Sequence, residues 1–103
     1  MLFAYRGFMI SGYSATKRLL EEKPEWYPTL LETLAAAKKY KEFAGCWVLK
    51  IVKEKREFYP AGPGLKKLAA YGILKRTETT RNGRRAYYVM QDPEGVEKAL
   101  KEA

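Results

Sequence analysis

A group of cationic side chains in the second half of this 103-residue chain is the part of the sequence best suited to bind a ligand. Residues 61–91 hold seven Lys and Arg residues and one Glu, a local net charge of +6, in a chain whose net charge is +8. The seven cations are Lys66, Lys67, Lys75, Arg76, Arg81, Arg84 and Arg85. Ammonium and guanidinium groups at this density favour a polyanion such as nucleic acid, and a merely solvated basic surface is the alternative.

The residue types that most catalysts and metal sites need are scarce. The chain has no His and only one Cys, Cys46, so it lacks the commonest metal ligand and general base and cannot form an internal disulfide. The sequence also contains no nucleophile–base pair and no phosphate loop. We therefore expect a binding protein, not an enzyme, with no cofactor and no metal, and we expect Cys46 to be a small buried residue.

Composition also bears on source and location. Only Asn82 and Gln91 carry side-chain amides, whereas Lys and Glu are abundant, a balance that suggests a thermophilic source. No apolar run reaches the ~20 residues that span a bilayer. Residues 1–10 are apolar but lack a basic start and a cleavage site, so we interpret them as part of the folded protein and not as a signal peptide. We expect a cytoplasmic, nucleoid-associated protein with no membrane partner.

Apolar periodicity predicts the helices that must position the cations. Their predicted positions are residues 14–22, 28–40, a segment within 43–56, residues 63–71, and a last helix that begins at Asp92-Pro93. The second has an apolar stripe made of Tyr27, Leu30, Leu31, Leu34 and Ala37, and the third has one made of Trp47, Val48, Ile51 and Val52. For the fourth, Pro63 suits the first helical position and Gly72 the left-handed residue after the end. The aromatic residues Trp26, Tyr27, Phe43, Trp47 and Phe58 are expected in the core.

Residues 75–90 are predicted to form a hairpin, because Asn82-Gly83 is a strong two-residue turn signal. This turn would pair Arg81 with Arg84 and Thr77 with Tyr88, and strand alternation would bury only one of Tyr87 and Tyr88. Like charges directly opposite each other destabilise a hairpin unless an anion compensates them. The arginines therefore favour a phosphate contact, with protection of an exposed sheet edge as the alternative.

Two segments resemble the winged helix-turn-helix superfamily of DNA-binding domains. Leu65-Lys66-Lys67-Leu68-Ala69-Ala70-Tyr71-Gly72-Ile73-Leu74-Lys75-Arg76 is similar to the end of a recognition helix that runs into a wing. Arg81-Asn82-Gly83-Arg84-Arg85-Ala86-Tyr87-Tyr88 is similar to a basic wing tip and its returning strand. The resemblance implies a mainly α fold with a small β-hairpin wing in a sheet of two or three strands. It implies one domain over residues 1–103, with an N-terminal extension (1–23), a winged-helix core (24–90) and a C-terminal helix (91–103).

The resemblance implies a transcriptional regulator that binds double-stranded DNA through helix 63–71 and wing 75–90. The expected DNA-binding residues are Tyr59, Gly64, Lys66, Lys67, Lys75, Arg76, Thr80, Arg81, Asn82, Arg84 and Arg85. Lys66 and Lys67 suit phosphates better than base edges. Gly64 has two alternative interpretations: its backbone N–H contacts a phosphate, or the glycine serves only to form the turn. Tyr59 likewise either lies on the sugar-phosphate backbone of the DNA or packs in the turn.

Other interpretations use the same basic surface. An RNA- or ribosome-associated module is one. Another is a protein–protein interaction module whose wing and helix dock on an acidic partner and whose hydrophobic contact uses Leu2, Phe3, Phe8 and Ile10. DNA-binding domains of this type commonly act as dimers on two-fold sites. A homodimer contact is expected in the aromatic N-terminal segment and the last helix.

Overall fold

The computed structural model describes residues 11–60, 64–77 and 87–103, and these form a mainly helical protein with one small sheet. In chain order the elements are α1 (Gly12–Glu22), a 3-10 turn (Pro24–Trp26), α2 (Tyr27–Lys39), β1 (Phe43–Ala44), α3 (Gly45–Glu54), α4 (Lys66–Tyr71), β2 (Leu74–Arg76), β3 (Tyr87–Met90) and α5 (Pro93–Glu102). The predicted helices at 14–22, 28–40 and within 43–56 are confirmed, as is the start of the last helix at Asp92-Pro93. No helix among the described residues is long and apolar enough to cross a membrane.

The sheet has three antiparallel strands in the order β1-β3-β2. Phe43 lies opposite Tyr88 on one side of β3, and Arg76 lies opposite Tyr88 on the other. The Thr77 N–H donates to the Tyr87 carbonyl at 2.9 Å. This register differs by one residue from the predicted pairing of Thr77 with Tyr88. Residues 78–86, which hold the predicted turn, lie outside the described residues.

The prediction that only one of Tyr87 and Tyr88 is buried is wrong, because both are. β3 is the central strand, and both of its faces are covered. Tyr88 points into the main core, whereas Tyr87 lies edge-on to Trp47, with their ring centroids 6.0 Å apart. Alternation along a strand therefore assigns the two faces correctly but does not decide which of them meets solvent.

One hydrophobic core draws side chains from all five helices and the sheet. Leu19, Leu30, Val52, Leu68 and Val96 are among its fully buried members. Of the aromatic residues predicted in the core, Trp26 and Phe43 are buried, and the other three are half-buried against it. Because α1 supplies Ala15 and Leu19, the N-terminal helix packs into the same core as the rest of the described chain.

Three further predictions need correction. Cys46 is exposed because Val48 and Val52 face the core from α3, and residue 46 lies on the opposite side of that helix. The apolar side of α5 packs within this chain, mainly against α1 and α2, so a contact between two copies through α5 would have to use the other side of this helix. Leu31 and Ile51, placed in core stripes by their spacing, are each 42% exposed.

The helix predicted at 63–71 begins only at Lys66. Gly64 has φ +69°, a left-handed conformation that a continuing α-helix excludes. A Cβ on Gly64 would also lie 2.8 Å from Leu49 Cδ1, so a larger residue would collide with α3. Gly72, at φ 92°, ends the helix as predicted. Backbone conformation at two glycines therefore limits α4 to six residues.

Candidate nucleic-acid interface

Two lysines lie side by side on the solvent face of α4. Lys66 and Lys67 are exposed, whereas Leu65 and Leu68 are fully buried and fix the helix to the core. After Tyr71 the chain turns at once into the sheet, since the Gly72 N–H donates to the Ala69 carbonyl and the Ile73 N–H to the Leu68 carbonyl, both at 3.0 Å. The two ammonium groups therefore project from a short helix whose opposite side is anchored.

The next two cations follow on the strand that this turn leads into. Leu74 is buried, and Lys75 and Arg76 are exposed. β2 packs against α4, so the four cations belong to two elements that are consecutive in the chain and in contact. The structure thus brings four of the sequence-predicted residues onto adjoining elements.

The remaining predicted residues divide into three groups. Tyr59 is 47% exposed, with Lys53 Nζ 5.7 Å from its ring centroid. Gly64 is buried against Leu49, which supports the structural interpretation of this glycine over a phosphate contact. The third group, Thr80, Arg81, Asn82, Arg84 and Arg85, lies outside the described residues. The contact between Lys53 and Tyr59 was not predicted from the sequence. The signal that could have indicated it is the position of Lys53 near the end of α3, six residues before Tyr59.

Ion pairs divide the cations of the described chain into two sets. Five pairs are formed: Lys17–Glu102 (3.0 Å), Arg18–Glu22 (3.4 Å), Lys38–Glu97 (2.6 Å), Lys101–Glu97 (4.0 Å) and Lys55–Glu32. Four of the five lie on α1, α2 and α5. Within residues 11–60, 64–77 and 87–103, no ion pair involves Lys53, Lys66, Lys67, Lys75 or Arg76. Four cations of α1, α2 and α5 are thus neutralised internally, although Lys39 and Lys98 are not, whereas none of the four cations of α4 and β2 has a carboxylate partner among the described residues.

A tyrosine–carboxylate contact fixes the end of α4 to α1. The Tyr71 hydroxyl donates to the Glu22 carboxylate, which also accepts from Arg18 Nε at 3.4 Å. The bond from Tyr71 is the main reason that the pKa of Glu22 lies below its ordinary value of 4.5. The same carboxylate raises the pKa of Tyr71 above its ordinary value of 10.0. α4 is therefore held in place by a contact that is strongest when Glu22 is ionised and Tyr71 is neutral.

We expect Tyr71→Phe to change the pH profile of stability. A depressed Glu22 pKa stabilises the fold above pH 4.5, and that stabilisation is lost as the pH falls through the folded-state value. A raised Tyr71 pKa stabilises it below pH 10.0, and that stabilisation is lost as the pH rises through the folded-state value. The loss of stability in Tyr71→Phe should thus be largest at roughly pH 5–9 and shrink towards pH 3. Urea melts at several pH values measure it. Tyr59→Phe is the control, and a Tyr71→Phe effect that is constant from pH 3 to pH 7 would contradict the contact.

The described residues contain no group of three or more His, Cys, Asp or Glu side chains that could hold a metal ion. No protein-family model matches this chain, and comparisons with the curated proteins and with the solved structures found no match either. The interpretation of the site therefore depends on its own residues and their geometry.

Proposed function

We propose that this protein is a winged helix-turn-helix domain that binds double-stranded DNA and acts as a transcriptional regulator. In support, α2, α3, the short α4 and the strand pair β2–β3 follow one another in the order that the resemblance implies. α4 takes the place of the recognition helix, and β2 and β3 are the strands that flank the wing. Two copies acting on a two-fold site would be the usual arrangement for such a domain.

The observation that carries the proposal is that four cations on two adjoining elements have no internal counterions. Lys66, Lys67, Lys75 and Arg76 are exposed and, among the described residues, have no carboxylate partner. Like charges that lie close together without counterions destabilise a folded protein through their mutual repulsion. A phosphate backbone supplies the missing counterions, and release of its condensed ions drives association.

The side chains of α4 favour backbone contacts over base reading. Its exposed residues are Lys66, Lys67 and Ala70, and none of them is one of the amides that recognise adenine through paired hydrogen bonds. Phosphate contacts fix position and orientation but carry no direct sequence information. We therefore propose binding with weak sequence preference, in which charge supplies most of the affinity.

Competition between duplex DNA and structured RNA tests this function. A labelled random DNA duplex should bind at about 0.1 M salt with a Kd in the range of roughly 10⁻⁶–10⁻⁴ M, as nonspecific complexes do. An RNA hairpin of equal charge should displace it only at several-fold higher concentration, because the A-form major groove is too deep and narrow for a helix. Fluorescence anisotropy measures both. Stronger displacement by RNA would replace this function with an RNA-associated one, and no binding to either would favour a protein partner.

A further inference from the structure

A groove between α2 and α3 has no role in the function proposed above. It has a volume of about 180 Å³ and is lined by Glu32, Ala35, Ala36, Lys39, Tyr40, Trp47, Val48 and Ile51. Tyr40 and Ile51 are each 42% exposed, and so is Leu31, one turn before Ala35 on α2. The core therefore leaves part of the apolar surface of both helices uncovered, and of these three residues Tyr40 and Ile51 line the groove.

Two aromatic rings form one wall of the groove. The centroids of Tyr40 and Trp47 are 5.4 Å apart, with their planes at 58°. Trp47 is supported from behind by Tyr87 of the central strand, which it meets edge-on at 6.0 Å. A ring held on both sides keeps its position without a ligand, so binding would cost little rearrangement.

The charges of the groove differ at its two ends. Glu32 is bonded to Lys55 and is thereby neutralised. Lys39 lies by the aromatic wall, with Nζ 5.4 Å from the Tyr40 ring centroid, and has no ion pair among the described residues. One available positive charge next to two rings and several aliphatic side chains is complementary to a small, flat apolar molecule with one negative charge.

We propose that this groove binds a small aromatic carboxylate. Its ring system lies against Tyr40 and Trp47, covered by Ala35 and Ile51, and its carboxylate accepts from the Lys39 ammonium. The volume is below the ~300 Å³ at which pockets for drug-sized ligands begin, so the ligand has one ring or two fused rings. This site is separate from the cations of α4 and β2.

Titration with 2-naphthoate, followed by NMR of the two indole N–H groups, tests the site. The Trp47 signal should shift saturably with a Kd of roughly 0.1–1 mM, whereas the buried Trp26 should shift little. Lys39→Gln should weaken 2-naphthoate binding about three- to fivefold, the usual worth of an exposed charge pair. The neutral isostere 2-naphthamide should bind the parent more weakly by a similar factor.

A variant that fills the groove with a large side chain is the second test of the site. Ala35→Phe should weaken 2-naphthoate binding at least tenfold, whereas Ala70→Phe, at an exposed alanine of α4, should leave it unchanged. Lys98→Gln controls for the change in net charge. The site is excluded if no saturable Trp47 shift appears up to about 10 mM, or if Ala35→Phe binds as tightly as the parent. No nucleic acid is present, so the outcome is independent of the DNA-binding proposal.

Discussion

Simultaneous replacement of Lys66, Lys67, Lys75 and Arg76 by Gln should lower the affinity for random duplex DNA by roughly 10³–10⁴-fold at about 0.1 M salt. Each lost phosphate contact removes one released counterion, which at this salt concentration is worth nearly tenfold in the binding constant. All four side chains are exposed, and Gln keeps their length approximately, so the fold should be unaffected. Anisotropy titrations of the parent and the variant at one salt concentration measure the difference.

A matched variant removes the same charge from the other side of the molecule. Lys17, Lys38, Lys98 and Lys101 lie on α1, α2 and α5, and three of them already have carboxylate partners. Replacing these four by Gln should lower DNA affinity only about fivefold or less, through the reduced net charge alone. Equal losses in the two variants would show that binding follows total charge, and the interface on α4 and β2 would be rejected.

Asp92→Ala should lower the free energy of unfolding by about 2–4 kcal/mol. One carboxylate oxygen of Asp92 accepts from the Gly95 N–H at 3.1 Å and caps α5, and the other accepts from the Gly12 N–H at 2.9 Å at the start of α1. An alanine removes the cap, worth about 1 kcal/mol, and leaves the partly buried Gly12 N–H without its acceptor. Urea denaturation of the parent and the variant gives the difference.

Two further variants test whether the loss of stability in Asp92→Ala comes from the two hydrogen bonds of the Asp92 carboxylate. Asp92→Asn keeps one acceptor but turns an amide N–H₂ towards the second donor, so it should lose at least half as much stability as Asp92→Ala. Glu94→Ala removes an exposed carboxylate from the same turn of α5 and should cost less than about 1 kcal/mol. If Asp92→Ala is no worse than Glu94→Ala, the bridge between α1 and α5 does not contribute to stability.

Local signals in the sequence were sufficient for several elements. The apolar spacing from Tyr27 to Ala37 predicted α2, and Asp92-Pro93 and Gly72 marked a helix start and a helix end. These features depend on residues within a few positions of one another. Short-range chemistry therefore indicates them without knowledge of the tertiary contacts.

Features that depend on distant neighbours were missed. Asp92 reaches Gly12 across 80 positions, and nothing near either residue indicates it. The residue type of Cys46 predicts burial, but its place on α3 makes it exposed. The spacing of Ile51 predicts a place in the core, but periodicity gives the direction of a stripe and not the width of the core that covers it. The start of α4 was placed too early because the contact between Gly64 and Leu49 is tertiary.

The candidate site likewise has features that the sequence shows and features that depend on tertiary packing. The net positive charge of residues 61–91 is visible in the sequence, and so is its place on a short helix and the strand that follows. Which cations have partners is not, because three of the five ion pairs, Lys17–Glu102, Lys38–Glu97 and Lys55–Glu32, join residues at least 23 positions apart in the chain. Packing of α1, α2 and α5 decides which charges are neutralised and which remain for a ligand.

The salt dependence of DNA binding tests the central claim most directly. If about five phosphates are neutralised, a plot of log K against log salt concentration should have a slope of roughly −4 to −5. Random duplex DNA, titrated with the unmodified protein between about 0.05 and 0.3 M salt, gives this slope. A slope between 0 and about −1 would contradict the account, because the exposed cations of α4 and β2 would then not be neutralising phosphates.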